Sequence, residues 1–262
     1  MDLSFPEYLH LYAEPSEKTL KIQILAQYLK IKFPKTKIDC RKEFFNYWLK
    51  QEEIDQVAEK LARCRISDLQ SQELVSSPLS LEIEHEKKNI LNPEKRKFGL
   101  VYDGLCLQEV YRETIPREER KSSHLQIVFT NQLLATWEED GRYHLRVGVY
   151  GAPNLISTSG VVEAPAKPKE FYLLKSLGET AIADWKEKNK ERFIDYNDPR
   201  LTEILKGYLM QAIFYYLTGD LFCKDKNCRL YNAHWQEELI KAQLNKKKEF
   251  CITHQKILSS FQ

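Results

Sequence analysis

Ala212-Ile213-Phe214-Tyr215-Tyr216-Leu217-Thr218-Gly219-Asp220-Leu221-Phe222-Cys223-Lys224-Asp225-Lys226-Asn227-Cys228, followed after twenty-two further residues by Cys251-Ile252-Thr253-His254, is the stretch on which the fold turns. Two thiols four residues apart and a Cys-x2-His pair make four soft donors in two short bites. Tetrahedral Zn²⁺ takes four N/S ligands, and closely spaced pairs lower the entropy of gathering them. The spacing predicts one structural zinc held by Cys223, Cys228, Cys251 and His254.

Upstream runs the longest helical pattern in the chain. Asp198 reads as its N-cap, Pro199 as N1, and Glu203 suits the first turn. Leu201, Ile204, Leu205, Tyr208, Leu209, Ala212, Ile213, Tyr216 and Leu217 recur at helical spacing, and Gly219 fits the C′ stop. An apolar surface this wide predicts a buried helix.

Taken together, helix, Gly219, Cys223-x4-Cys228 and Cys251-x2-His254 resemble the end of the archaemetzincin-type zinc metallopeptidases. Those enzymes close their active-site helix with H-E-x-x-H-x-x-G-x-x-H-C, and a second, structural zinc follows. The resemblance implies a zincin-like fold. It also implies that the catalytic set is absent, because the three His positions fall on Ala212, Tyr216 and Phe222 and the general-base Glu on Ile213. None of these side chains binds zinc as imidazole does, and Ile213 takes no proton from water. The chain is also similar to an archaeal group grouped with the metallopeptidases. The expected protein is a zinc-binding, non-catalytic peptide-binding or scaffold protein.

Further upstream, strand and helix signals alternate. Strands are expected at Tyr8 to Tyr12, Lys37 to Cys40, Phe98 to Tyr102, Leu125 to Thr130 and Asn154 to Ser157. Helices are expected from Ser16 to Phe33, Lys42 to Leu49, Glu52 to Cys64 and Leu105 to Thr114. Leu133 to Glu138, the turn Glu139-Asp140-Gly141, and Tyr143 to Tyr150 read as a β-hairpin. Leu81 to Leu91 begins with strand-like alternation and becomes a charge run at Glu84 to Lys88, read as a solvated face with no role for His85. Gln70 to Ser80 reads as a mobile polar loop. Past the stiff break Ala164 to Pro168, helices are expected at Phe171 to Leu177 and Thr180 to Arg192. The pattern predicts an α/β (α+β) chain: one mixed sheet with an antiparallel hairpin edge packed on helices, and a C-terminal helical zinc-binding segment. It divides into an N-terminal α/β part, 1–95, and a zincin-like part, 96–262, or forms one continuous domain.

Composition narrows the function classes. Of 262 residues, 42% are hydrophobic, enough for a core. Forty basic and thirty-eight acidic side chains leave +2, too little to draw nucleic acid or acidic lipid to the whole surface. No window is apolar enough for a membrane span, and the first residues lack the basic and apolar regions of a leader. A cytoplasmic location is expected, with the six cysteines as thiols or metal ligands, and Cys40, Cys64 and Cys106 as small core residues.

Three further features bear on chemistry. His234-x-x-Glu237-Glu238 is one residue from the inverted zincin motif H-x-x-E-H. On a helix, His234 and Glu238 would share a face, Glu237 could act as base, and His144 or His124 could complete a metal site, giving an active metallohydrolase as the alternative. Lys224, Lys226, Arg229, Lys241 and Lys246 to Lys248 form a basic cluster around the knuckle, with Tyr231 and Trp235 to stack bases, giving nucleic-acid binding as a second alternative. Gly151 to Gly160 is small and polar but holds neither a phosphate-loop motif nor a nucleophile elbow for Ser157 or Ser159, so it reads as a turn at the sheet edge. By the zincin resemblance, Tyr143 to Tyr150 would be an edge strand that accepts an extended peptide.

Overall fold

The structure, a computed structural model, describes residues 5–95, 98–244 and 248–261. The N-terminal portion holds β1 (Tyr8–Tyr12), α1 (Ile22–Lys32), β2 (Lys37–Arg41), α2 (Phe44–Trp48), α3 (Ile54–Arg63) and α4 (Ser80–Leu91). The middle holds β3 (Val101–Asp103), α5 (Gly104–Thr114), β4 (His124–Thr130), β5 (Leu133–Trp137), β6 (Tyr143–Arg146), β7 (Gly148–Val149) and β8 (Asn154–Ser157). The remainder is helical: α6 (Thr158–Glu163), α7 (Lys169–Leu177), α8 (Glu179–Lys188), α9 (Leu201–Thr218), α10 (Gln236–Gln243) and α11 (Ile252–Ser259).

The architecture is mixed α/β with an antiparallel edge, but the strands form two sheets where one was expected. The larger runs β2-β1-β4-β8-β7 and the smaller β3-β5-β6. β1, β2, β4 and β8 pair in parallel, and β7 closes the larger sheet antiparallel to β8. Because β1 pairs with β4, this sheet takes strands from both sides of the division at residue 95. β5 and β6 form the expected hairpin, with Leu134 opposite Arg146 and Gly141 at φ +76° in its turn. The chain then leaves the hairpin, and Gly148–Val149 joins the larger sheet. The segment 143–150 is therefore shared between two sheets rather than forming one edge strand.

Period-two alternation gives the larger sheet two covered faces. Leu9, Leu11, Leu125, Ile127, Phe129 and Ile156 meet Ile22, Leu25 and Leu29 of α1 and the buried length of α9. Tyr12, Val128 and Leu155 meet Phe44 and Phe45 of α2, with α3 and α5 behind them. α9 is buried as its sequence predicts, with Gly219 as a left-handed cap at φ +78°.

Several local expectations are corrected. The first helix starts at Ile22, not Ser16: Glu17 accepts from the Thr19 amide, and Thr202 Oγ1 of α9 takes the Lys21 amide, holding 16–21 as turns. Asp198 lies two residues before the N-cap, Arg200, and accepts from the Arg200 amide at 2.8 Å. Leu81 to Leu91 is wholly helical, and its charge run is not all solvated. Glu86 is fully buried because Arg65 Nε (2.8 Å) and the Tyr102 hydroxyl (2.7 Å) donate to it. Gln70 to Ser80 includes a bridge from Leu74 to Ile66. Ser157 to Gly160 is no edge turn: β8 lies inside the sheet, and the Ser157 hydroxyl caps buried α6 through the Gly160 amide at 2.8 Å. Cys64 and Cys106, expected as thiols, form a disulfide. β3 brings them together, since the Asp103 amide donates to the Cys64 carbonyl at 2.8 Å. No helix among the described residues is long and apolar enough to cross a membrane.

Candidate metal centre

Gly219 turns the chain off α9 into a tight knuckle. Cys223 donates its amide to the Leu230 carbonyl at 2.9 Å and bridges Tyr231, while the Cys228 amide closes on Asp225 at 3.0 Å. Cys251 sits at the N-cap of α11 and His254 in its first turn. The ligand atoms of Cys223, Cys228, Cys251 and His254 all lie within 4.8 Å of one another. Cys223 Sγ is 3.8 Å from Cys251 Sγ, and Cys228 Sγ is 3.6 Å from His254 Nδ1. A zinc tetrahedron with Zn–S of about 2.3 Å has S···S edges of about 3.8 Å, so this Cys₃His donor set fits the ion. Burial holds the His254 imidazolium down, leaving the neutral ring that a metal needs. Burial also pushes Cys223 up, and Cys228 to about 12. At Cys251 burial acts upward too, but the His254 amide and neighbouring thiols outweigh it and lower the thiol.

The positions on α9 that the resemblance singled out carry packing side chains, with Tyr216 only partly buried. Ala212 and Ile213 are fully buried, and the Tyr216 hydroxyl donates to the Ser122 carbonyl at 2.7 Å. Phe222 is exposed and lines a cleft of about 540 Å³ between β6–β7 and α9, bordered also by Tyr143, Tyr150, Tyr208 and Gln211. The floor is tied by the Tyr150 hydroxyl donating to Gln211 Oε1 at 2.6 Å.

His144 and His234 both border this cleft, but Glu237 and Glu238 serve elsewhere. α10 begins at Gln236, so His234 precedes it and the expected helical face does not form. Glu237 accepts from Arg192 at 2.7 Å, Glu238 accepts from the His234 amide at 3.2 Å, and His144 pairs with Asp140 at 2.9 Å. None of the four belongs to a metal-sized donor group among the described residues. The basic cluster is also partly spent. Arg229 is buried and donates to Glu203 at 2.6 Å, and Lys226 pairs with Glu238 at 3.4 Å. Lys246 and Lys247 lie outside the described residues.

A second donor group was missed from sequence: His10, Glu119 and His124, again within 4.8 Å of one another. His10 of β1 stands opposite Asp39 of β2 and Gln126 of β4, and His124 opposite Tyr8. His10 is buried. Its Nδ1 bonds Asp39, and its Nε2 faces His124 Nδ1 at 2.9 Å and Glu119 Oε2 at 3.7 Å. Arg41 donates to both Glu119 oxygens, at 2.6 and 3.0 Å, and to Asp39 at 2.7 Å. Burial, then the neighbouring His10, holds His124 below the usual imidazole range. The one sequence signal was polar residues at alternate positions, His10-x-Tyr12 and His124-x-Gln126, with leucine or isoleucine between and beside them.

No curated protein sequence matches the chain. Among solved structures it is similar to the crystal structure of archaemetzincin from Methanopyrus kandleri, at 12% identity, 98% coverage of this chain, 95% of that one, and a TM-score of 0.47. The sequence family described as "Probable metallopeptidase family" matches residues 6–261, and the chain therefore belongs to that family.

Proposed function

We propose that the protein is a zinc-clamped member of its family that holds an extended peptide in the β6–β7/α9 cleft without cutting it at α9. The observation that carries this reading is the cleft itself. It is about 540 Å³, it runs beside the edges of β6 and β7, and the α9 positions Ala212 and Ile213 are sealed in the core behind it. An extended peptide adds to such an edge by main-chain hydrogen bonds, with side-chain pockets setting preference. Tyr143, Tyr208 and Phe222 supply apolar walls, and His144 and Arg142 supply polar ones. The Cys223/Cys228/Cys251/His254 zinc fixes the knuckle that carries Phe222 and Tyr231 into the wall, so its role is structural.

The test is a library of fluorescent extended peptides mixed with zinc-loaded protein. Saturable binding that is lost in Phe222→Asp, with every peptide recovered intact, supports the reading. Zinc-dependent cleavage abolished by Glu237→Gln in a folded variant would replace it with the metallohydrolase alternative.

A further inference from the structure

We propose that His10, His124 and Glu119 form a second, separate site for a divalent transition metal of the zinc class, with a coordination position open to solvent. It does not depend on the cleft or on the cysteine knuckle.

The first argument is tautomeric. Histidines that bind metal donate their other ring N–H to a carboxylate or carbonyl, which fixes the ring and raises its basicity. His10 has this arrangement. Its buried ring bonds Asp39 through Nδ1, leaving the Nε2 lone pair directed at His124 and Glu119. The second argument is distance. Two nitrogens on tetrahedral zinc at about 2.0–2.1 Å stand about 3.3 Å apart. His10 Nε2 and His124 Nδ1 are 2.9 Å apart, so a few tenths of an ångström at the half-buried His124 ring admit the ion.

The third argument is charge. Asp39 and Glu119 bring two carboxylates against the one guanidinium of Arg41. With neutral imidazoles the group is one negative charge in excess, a balance a cation corrects. Arg41 also holds the Glu119 carboxylate in place, with Gln126 Nε2 adding a bond at 3.2 Å, so the third donor is oriented before any metal arrives. The fourth argument is access. Glu119, His124 and Gln126 line a cavity of about 190 Å³ walled by Ser122, Pro153 and Tyr216. Three protein donors beside a cavity leave a position for water or an oxygen ligand, the pattern of an open site rather than a closed structural one.

The experiment is metal analysis of the full chain, dialysed against zinc and separately against cobalt. The expected result is two equivalents in the wild type, one in His124→Gln, and one in Cys228→Ser. In the cobalt protein, the equivalent lost from His124→Gln lacks thiolate-to-cobalt charge transfer. Asp39→Asn is expected to weaken the second equivalent by about 10- to 100-fold while sparing the first. A wild type whose only equivalent shows thiolate-to-cobalt charge transfer, or a second equivalent that persists in folded His124→Gln, overturns the site. In either case His10 and His124 share a proton rather than a metal. Loss of the cysteine-bound equivalent alone would bear on the knuckle and leave this site standing.

Discussion

Tyr150, the residue after β7, donates its hydroxyl to Gln211 Oε1 of α9 at 2.6 Å, so the border of the cleft and its floor are joined by one bond. Gln211 is buried. Tyr150→Phe removes the donor and leaves that amide oxygen without it, at a cost of about 1–3 kcal/mol. Urea unfolding should show a lower midpoint with an unchanged slope. A midpoint equal to wild type would mean that the bond is replaced by water and does not brace the cleft.

The knuckle predicts a chelator effect. A ligand that binds only the folded state stabilises by RT ln(1 + [L]/Kd), about 4 kcal/mol at a thousandfold excess. For a chain of this size that is roughly 10 °C in melting temperature. A strong chelator should lower the melting temperature of the wild type by about that much. Cys228→Ser should start low and respond less than the wild type, since the fully buried Cys228 sulfur is one of the four donors of the knuckle. Equal chelator sensitivity in both proteins would remove Cys228 from the metal site.

What the sequence disclosed and what it hid divide along chain distance. α9, the Asp140-Gly141 turn and the Cys223-x4-Cys228 knuckle are written in spacings of a few residues, where periodicity, caps and turn chemistry act locally. The His10, Asp39, Glu119 and His124 cluster is assembled from three parallel strands and a turn before the last of them. Its spacing exists only once β1 lies between β2 and β4. Each of those residues alone reads as an ordinary polar position in a strand or turn. Glu86 misleads for the same reason. Its partners, Arg65 and Tyr102, come from outside its helix, and a charge run shows nothing of them. The division of 143–150 between two sheets depends on Gly148 and Val149 finding β8, a pairing no local pattern specifies.

Lys167 gives a pH prediction. Its ammonium is buried, donates to the Val162 carbonyl at 2.7 Å and lies 5.2 Å from the Phe171 ring centre. Glu163 and Asp195 face it with negative charge, Lys186 and Lys175 with positive, and burial outweighs them all to lower its pKa. The unfolded chain titrates this group near the ordinary lysine value of about 10.4. Between the lowered folded value and that one, the unfolded chain holds more protons, so this group's contribution to stability rises with pH. Its penalty is full below the folded pKa and gone above about 10.4. Melting temperatures of wild type and Lys167→Met from pH 7 to 10.5 should therefore diverge in the wild type's favour as pH rises. A constant difference across that range would show that Lys167 keeps its ordinary affinity for the proton.

Gly160 predicts the largest loss for one added methyl. It lies in the first turn of α6, beneath the backbone that crosses from β6 to β7. A Cβ there would stand 2.4 Å from the Arg146 carbonyl oxygen and 3.0 Å from Val147 Cα. Alanine favours a helix over glycine by up to about 1 kcal/mol, but overpacking against backbone costs about 1–3 kcal/mol or more. The obstacle here is main chain shared by the two sheets, which has no rotamer to change, so the clash wins. Gly207→Ala is the contrast, because its nearest obstacle, at 1.7 Å, is the amide end of the Gln243 side chain. That side chain can turn away, giving up its bond to the buried Arg229 carbonyl, at about 1–3 kcal/mol. Denaturant titration of both variants should place Gly160→Ala below Gly207→Ala, and both below wild type. The reverse order would mean that the β6–β7 crossing yields more readily than a single glutamine.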